Sequence, residues 1–315
     1  MKEVVGVRKW LVMAVAALVL IPTAALYIDD RSVHAEAQEF HATNAVGQTP
    51  AVIPAVTEPA PPPKPTWEKA PLLDAAVARA MQDFAGEYSV VVHDLASGEE
   101  WFVNPNRQYH PASTIKMPVT LYALEQYRAG KLDWQEMITY TQADFESPGG
   151  GAFETAPFGG RYPVENLVGR ALRYSNNVAV NMLGRHLGWE NIRTWTKSVG
   201  GDLMRGADGS PIVTAMSELG WWRHLEQVSR VDPKNAELIL QPLREVAYDG
   251  RIAAGLPEGV KYLHKFGSYD GNYHDGGWIM GEKPFLLIVM THGASVEAAD
   301  AAIARVTAEI YNVMK

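Results

Sequence analysis

The chain has 315 residues, 47% of them hydrophobic, enough to bury a substantial core, and a formal net charge of −8 with no basic cluster. Nucleic acid is not expected as a partner, because phosphate binding depends on clustered Lys and Arg. Cysteine is absent, so neither a disulfide framework nor a thiolate metal site can form.

In chain order, Lys2, Arg8 and Lys9 precede an apolar run from Trp10 to Tyr27, and Asp29 and Asp30 follow it. Basic residues before such a run and acidic ones after it leave its N-terminus in the cytoplasm. Residues 1–27 are therefore expected to form a cytoplasmic stub and a membrane segment, with the rest exported. A spanning helix needs about 20 residues, so a retained anchor is the reading taken. Secretion after cleavage at Val33-His34-Ala35 or Ala35-Glu36-Ala37 is the alternative. Residues 28–66 form a linker, within which Val52 to Pro65 is rich in proline and alanine and reads as an extended spacer.

Residues 67–315 alternate helical and strand patterns without another linker. Helical spacing covers Leu72 to Phe84, and strands are expected at Ser89 to Leu95 and Trp101 to Val103. A largely apolar helix follows from Met117 to Tyr127, with Pro118 tolerable only in its opening turns. The helical middle comprises Val164 to Tyr174, Val178 to Leu187, Glu190 to Val199 and Ala215 to Glu226, and Asp232-Pro233 reads as a cap opening another helix. Strands return at Tyr262 to Tyr269, Trp278 to Met280 and Phe285 to Thr291, before an amphipathic helix from Ser295 to Tyr311. Strands at both ends around a helical middle make this an α+β domain, with one antiparallel sheet flanked by helices and a helical subdomain across a cleft.

Three short motifs carry the chemistry. Ser113-Thr114-Ile115-Lys116 stands at the start of the apolar helix, and residues three apart share a helix face, so Lys116 can direct its amine at the Ser113 hydroxyl. A serine needs such a base, and a lysine serves only when burial or a neighbouring cation lowers its pKa. Lys265 is a candidate for that cation. In isolation Ser-x-x-Lys is no more than a helix cap followed by a solvated lysine. Ser175-Asn176-Asn177 and Lys265-Phe266-Gly267 follow it in order.

This series resembles the class A β-lactamases and related penicillin-binding proteins, whose pattern is Ser-x-x-Lys, Ser-x-Asn and Lys-Thr-Gly. The likeness runs from about Asp74 to Tyr311 and includes Val91 to Glu99, His110-Pro111-Ala112-Ser113 and His274-Asp275-Gly276-Gly277. It implies a β-lactamase/transpeptidase-like fold and a serine hydrolase that forms an acyl-enzyme with β-lactams or with D-alanyl peptide-like amides and esters. Ser113, Lys116 and Ser175 would be catalytic, with Ser175 relaying a proton to the leaving nitrogen or capping the next helix. Asn177, Lys265, Gly267 and Ser268 would bind substrate. Lys265 would attract its carboxylate, Gly267 would let its backbone approach, and the N–H groups of Ser113 and Ser268 would form the oxyanion hole. Tyr174-Ser175-Asn176 also matches a Tyr-x-Asn pattern of the superfamily, so Tyr174 and Asn176 stand as the alternative second motif.

Two positions depart from the family. Phe266 occupies the place of a hydroxyl residue that binds substrate carboxylate, and Ser268 is the candidate replacement. The family's glutamate after the second motif, which activates the deacylating water, has no counterpart in Gly200 to Thr214, where only Asp202 and Asp208 are acidic. Slow deacylation is therefore expected. A D,D-carboxypeptidase of peptidoglycan, a promiscuous esterase or a non-turnover penicillin-binding sensor are the alternatives.

The remaining features read as structure. Gly149-Gly150-Gly151 and Gly159-Gly160 lack the Gly-Lys-Ser/Thr of a phosphate loop and suggest a rim over the cleft. The nine histidines show no metal spacing, so no metal or cofactor is expected. Trp221-Trp222 reads as core or interface, and Asp208-Gly209-Ser210 as a turn.

Overall fold

The computed structural model describes residues 67–315, so the expected membrane segment and spacer lie outside the described residues. Helix α1 (Ala70–Met81) leads into the hairpin β1 (Glu87–Asp94) and β2 (Glu100–Val103). A 3-10 turn, Ala112–Ile115, runs directly into α2 (Lys116–Arg128). The middle contains the short pair β3 (Met137–Thr139) and β4 (Arg161–Pro163), then α3 (Val164–Arg173), α4 (Asn177–Leu187) and α5 (Trp189–Ser198). After the hairpin β5 (Met204–Arg205) and β6 (Pro211–Ile212) come α6 (Ala215–Val231) and α7 (Pro233–Leu243). Strands β7 (Tyr262–Tyr269), β8 (Asn272–Ile279) and β9 (Phe285–His292) precede α8 (Val296–Met314).

The main sheet has the order β2-β1-β9-β8-β7, with every neighbouring pair antiparallel. Its two edges come from opposite ends of the domain, joined where β1 pairs with β9. Side chains on a strand alternate between faces, and here both faces are covered. Val90, Val92, Leu287 and Val289 pack beneath α1 and α8, while Val91, Leu286, Ile288 and Met290 join the core of the helical part. A one-residue slip between β1 and β9 would exchange these sets, so packing on both sides fixes the register. Burying each such aliphatic side chain contributes about 1.5–3 kcal/mol against leaving it in water.

Local signals set the helix boundaries around this sheet. Pro118 lies in the first turn of α2, where no intrahelical hydrogen bond is lost. Thr214 caps α6 by accepting from the Ser217 N–H, and Asp232 caps α7 by accepting from the Asn235 N–H ahead of Pro233. Trp221 and Trp222 are core residues, and Trp221 Nε1 donates to the Gly201 carbonyl at 2.8 Å. Strand β8 begins six residues before the expected Trp278, since His274, Gly276 and Gly277 continue the ladder although they carry little strand propensity. Helix α6 runs to Val231, five residues past the expected end.

Candidate active site

The turn that carries Ser113 is built by close packing. Ala112 has φ +49°, a left-handed conformation unusual for a residue with a Cβ, and Ser113 follows it at the mouth of α2. Strand β7 presses against this turn at Gly267. A Cβ there would lie 3.0 Å from both the Pro111 carbonyl oxygen and the Ser113 nitrogen. Gly267 thus faces the serine turn, and its missing side chain lets strand and turn meet.

Within the turn, Lys116 Nζ donates to Ser113 Oγ at 2.7 Å and to Asn177 Oδ1 at 2.7 Å. Ser113 and Lys116 are both buried. Burial lowers the Lys116 amine to about 7, with the Glu146 charge opposing the shift. A substantial neutral fraction therefore exists at neutral pH, as proton abstraction from serine requires. The sequence expectation invoked Lys265 as the depressing cation; the principal cause is desolvation instead.

Ser175 sits between α3 and α4 with φ +56°, and its Oγ accepts from Lys265 Nζ at 3.1 Å. The helix cap is Asn176, not Ser175: its side chain accepts from the Ala179 N–H at 2.8 Å and donates to the Gly150 carbonyl at 2.7 Å. Tyr174 is exposed. The geometry thus brings Ser175 and Asn177 to the reactive groups and assigns Asn176 to the helix end. Two residues at positive φ, Ala112 and Ser175, flank the chemistry, a backbone strain that packing must hold in place.

Lys265 is fully buried, donating also to the Phe266 carbonyl at 2.8 Å, and burial and then Lys116 hold its amine well below the ordinary range. Its Nζ lies 4.0 Å from the Phe266 ring centroid. Phe266 itself packs on Tyr248, with ring centroids 4.9 Å apart. The lysine is directed at Ser175 rather than at open solvent.

A cavity of about 440 Å³ opens onto this cluster, lined among others by Ser113, Lys116, Glu146, Asn177, Asn181 and Ser268. A larger one, about 810 Å³, lies beside α6, where Arg223 is paired with Glu100 and Arg230 with Glu226. That cavity holds none of the motif residues, so the smaller one is the candidate site.

Four participants escape the motif reading. Glu146 accepts from Asn177 Nδ2 at 2.8 Å and from Asn181 Nδ2 at 2.9 Å. It sits beside a Pro/Gly-rich stretch whose sequence signals only a loop. Asn181 shares a face of α4 with Asn177, four residues on, a spacing visible in the sequence once Asn177 is chosen. Arg251 is fully buried, with Nη2 donating to Ser268 Oγ at 2.7 Å, Nη1 to the Gly267 carbonyl at 2.6 Å and Nε to Asp300 at 2.6 Å. Glu218 is buried behind the Ser113 turn against Thr114, and burial raises its carboxyl to about 8. No spacing rule points to either of the last two.

Asp202 and Asp208 do not line the cavity. Asp202 lies 3.9 Å from Lys197, and Asp208 accepts from the Ser210 N–H and hydroxyl in the tight turn between β5 and β6, within electrostatic range of His110. The glycine-rich rim is tied down, since Gly149 and Gly150 donate their N–H groups to Glu154 and the Asn177 N–H reaches the Gly149 carbonyl.

Comparison with known proteins bears on the family and the fold. The model of the beta-lactamase enzyme family matches residues 72–314. A beta-lactamase of Rhodobacter capsulatus is 29% identical over 129 residues, 41% of this chain and 43% of that protein. The beta-lactamase regulatory protein BlaB of Streptomyces cacaoi is 28% identical over 95 residues, 30% of each chain. The chain thus spans under half the length of these curated relatives. Among solved structures, PBP-A superposes with a TM-score of 0.71 at 18% identity, covering 80% of this chain and 97% of that one. A beta-lactamase of Sphaerobacter thermophilus gives 0.68 at 23% identity, covering 77% and 96%. At those identities the likeness establishes the fold alone.

Proposed function

The chain belongs to the beta-lactamase enzyme family, and on that premise we propose an exported serine hydrolase whose Ser113 is acylated by β-lactams or by D-alanyl peptide-like amides and esters. The observation that carries the reading is the 2.7 Å contact from Lys116 Nζ to Ser113 Oγ, made by an amine that burial holds at about 7. Neutral Lys116 takes the serine proton as Ser113 Oγ attacks the substrate carbonyl carbon. The carbonyl π-electrons move onto oxygen, and the N–H groups of Ser113 and Ser268 receive the oxyanion. The intermediate collapses with cleavage of the C–N bond, and the proton that Lys116 took from Ser113 passes by way of the Ser175 hydroxyl to the leaving nitrogen, with Lys265 orienting Ser175. What remains is an ester on Ser113.

Hydrolysis of that ester is the slower step, because Gly200 to Thr214 places no carboxylate on the cavity wall. The N-terminal segment would tether the domain outside the cytoplasm through the Val52 to Pro65 spacer. A second reading is a penicillin-responsive binding domain, acylated once and then inert, and the match to a regulatory protein supports it. A D,D-carboxypeptidase of peptidoglycan is the third.

Intact-mass spectrometry after incubation with a penicillin tests the assignment. The expected result is a single adduct that Ser113→Ala abolishes; an adduct persisting in that variant would overturn it. A chromogenic cephalosporin then separates the readings, since continuous release marks a hydrolase, a single burst a binding domain and no reaction a specialised peptidase.

A further inference from the structure

The cavity beside Ser113 has one acidic lining residue among the described residues, Glu146. It belongs to the segment between α2 and α3, before Ser175 in the chain, where the motif reading does not look for a base. Both carboxylate oxygens are oriented from α4: Oε1 accepts from Asn177 Nδ2 at 2.8 Å and Oε2 from Asn181 Nδ2 at 2.9 Å. Asn177 turns its other amide atom to Lys116, so the series Glu146, Asn177, Lys116, Ser113 is joined by contacts of 2.8, 2.7 and 2.7 Å. An ionised carboxylate accepts at about four lone-pair positions, and the two amides occupy two of them. The carboxylate is exposed, so water reaches the remaining positions directly.

A carboxylate that served only to fasten its loop to α4 would not need to face the nucleophile's cavity. Fastening is also supplied elsewhere, by Asn176 on Gly150 and by the Asn177 N–H on Gly149.

We infer that Glu146 is the general base of ester hydrolysis in this site, a role that rests on the acyl-enzyme reading above. Glu146 removes a proton from a water in the cavity as the water oxygen bonds to the acyl carbonyl carbon and the carbonyl π-electrons move onto oxygen. When the tetrahedral intermediate collapses, the C–O bond to Ser113 breaks and the electron pair returns to Ser113 Oγ. That oxygen regains a proton by way of Lys116, restoring Ser113 and releasing the product as a carboxylic acid. Glu146 returns the proton taken from water through solvent in the cavity, so that Lys116 ends neutral and Glu146 ionised, as both began. The base thus comes from outside the Gly200 to Thr214 segment, and hydrolysis depends on it.

The test follows the penicillin adduct by intact mass after excess ligand is removed, in wild type, Glu146→Gln and Glu146→Asp. Only protein with a formed site acquires the adduct, so its lifetime reports on folded molecules even where a variant folds poorly. The expected result is that Glu146→Gln acquires the adduct and retains it at least ~10²-fold longer, the loss typical of removing a general base. Its deacylation rate also loses the acidic-limb pH dependence of wild type, which a fastening role would not move, and Glu146→Asp recovers part of rate and limb. Equal adduct lifetimes in wild type and Glu146→Gln would overturn the role of Glu146 and leave the acyl-enzyme reading standing. Absence of any adduct in wild type would overturn that reading, and the inference with it.

Discussion

Thr114 Oγ1 lies between the Pro111 carbonyl, 2.7 Å away, and the carboxyl of Glu218. The hydroxyl has one proton, for which the Pro111 carbonyl and the Glu218 carboxyl compete as acceptors. Burial, partly offset by the Thr114 contact and reinforced by Asp275, raises Glu218 from 4.5 to about 8. The group behind the nucleophile is thus held neutral at neutral pH.

A stability profile follows. A carboxyl whose folded pKa exceeds its unfolded one contributes stability that is fully present below the unfolded value and lost as pH rises through the folded value. For Glu218 the window runs from 4.5 to about 8. His264, which burial alone would lower but Asp275 and Asp249 raise to about 9, acts in the same direction only above 6.5. Chemical denaturation between pH 4.5 and 6.5 therefore isolates Glu218 from His264. His110 and His274, lowered to about 4 and about 3, act in the opposite direction over this range, so the readout is the difference between proteins: wild type should lose about 1.4 kcal/mol per pH unit relative to Glu218→Gln, because folding takes up one proton at Glu218. An unchanged slope would mean that Glu218 is ionised in the fold.

Lys116 fixes the pH dependence of acylation. Its amine acts as a base only when neutral, so the acylation rate should rise with pH through about 7 and then level off. Stopped-flow acylation with an ester substrate measures that limb. Lys116→Ala should lose roughly 10³-fold or more in rate, as does Ser113→Ala, and the double variant little more, since residues acting as one unit show non-additive losses. A limb near the ordinary lysine range would contradict a buried base.

Arg251 and Ser268 bear on substrate charge. Because Ser268 Oγ accepts from Arg251 Nη2 at 2.7 Å, its own proton is free to be donated into the cavity it lines. Arg251 is a positioning residue, held over the rings of Tyr248, Phe266 and Tyr273 and paired with Asp300. Ser268→Ala should raise KM for substrates bearing a carboxylate by about 10-fold or more, the cost of one hydrogen bond to a charged group, and affect neutral esters much less. An equal loss with both would reassign Ser268 to the fold or the oxyanion hole.

The sheet and most helices are legible in the sequence because both rest on periodicity and punctuation. The Val91 and Ile288 alternations, Thr214 and the Asp232-Pro233 pair are local signals with a local cause. Ser113, Lys116, Ser175, Asn177 and Lys265 are legible as motifs, and the fold bonds Lys116 to Ser113 and Asn177, and Lys265 to Ser175. Glu146 and Arg251 are not legible, since their places depend on which loop crosses α4 and which residue precedes β7, contacts that no spacing records. Gly267 was visible, and the structure adds a reason that spacing does not record: its neighbour is the Ser113 turn, 154 positions earlier in the chain.

If hydrolysis of the Ser113 ester is slower than its formation, penicillin turnover should show a burst of one equivalent followed by a slow steady state. The segment from Gly200 to Thr214 should have little part in that second phase. Asp202 is drawn toward Lys197 and Asp208 is engaged by Ser210, so neither carboxylate is aimed at the cavity. Asp202→Asn and Asp208→Asn are therefore expected to change the slow phase by less than about 3-fold, within the range of surface substitutions. Asp208 is the stricter control, because its electrostatic influence on His110 at the cavity wall permits a small indirect effect. Should either variant preserve the burst while abolishing a fast steady state, the short loop would carry the base after all, and deacylation would not limit this enzyme.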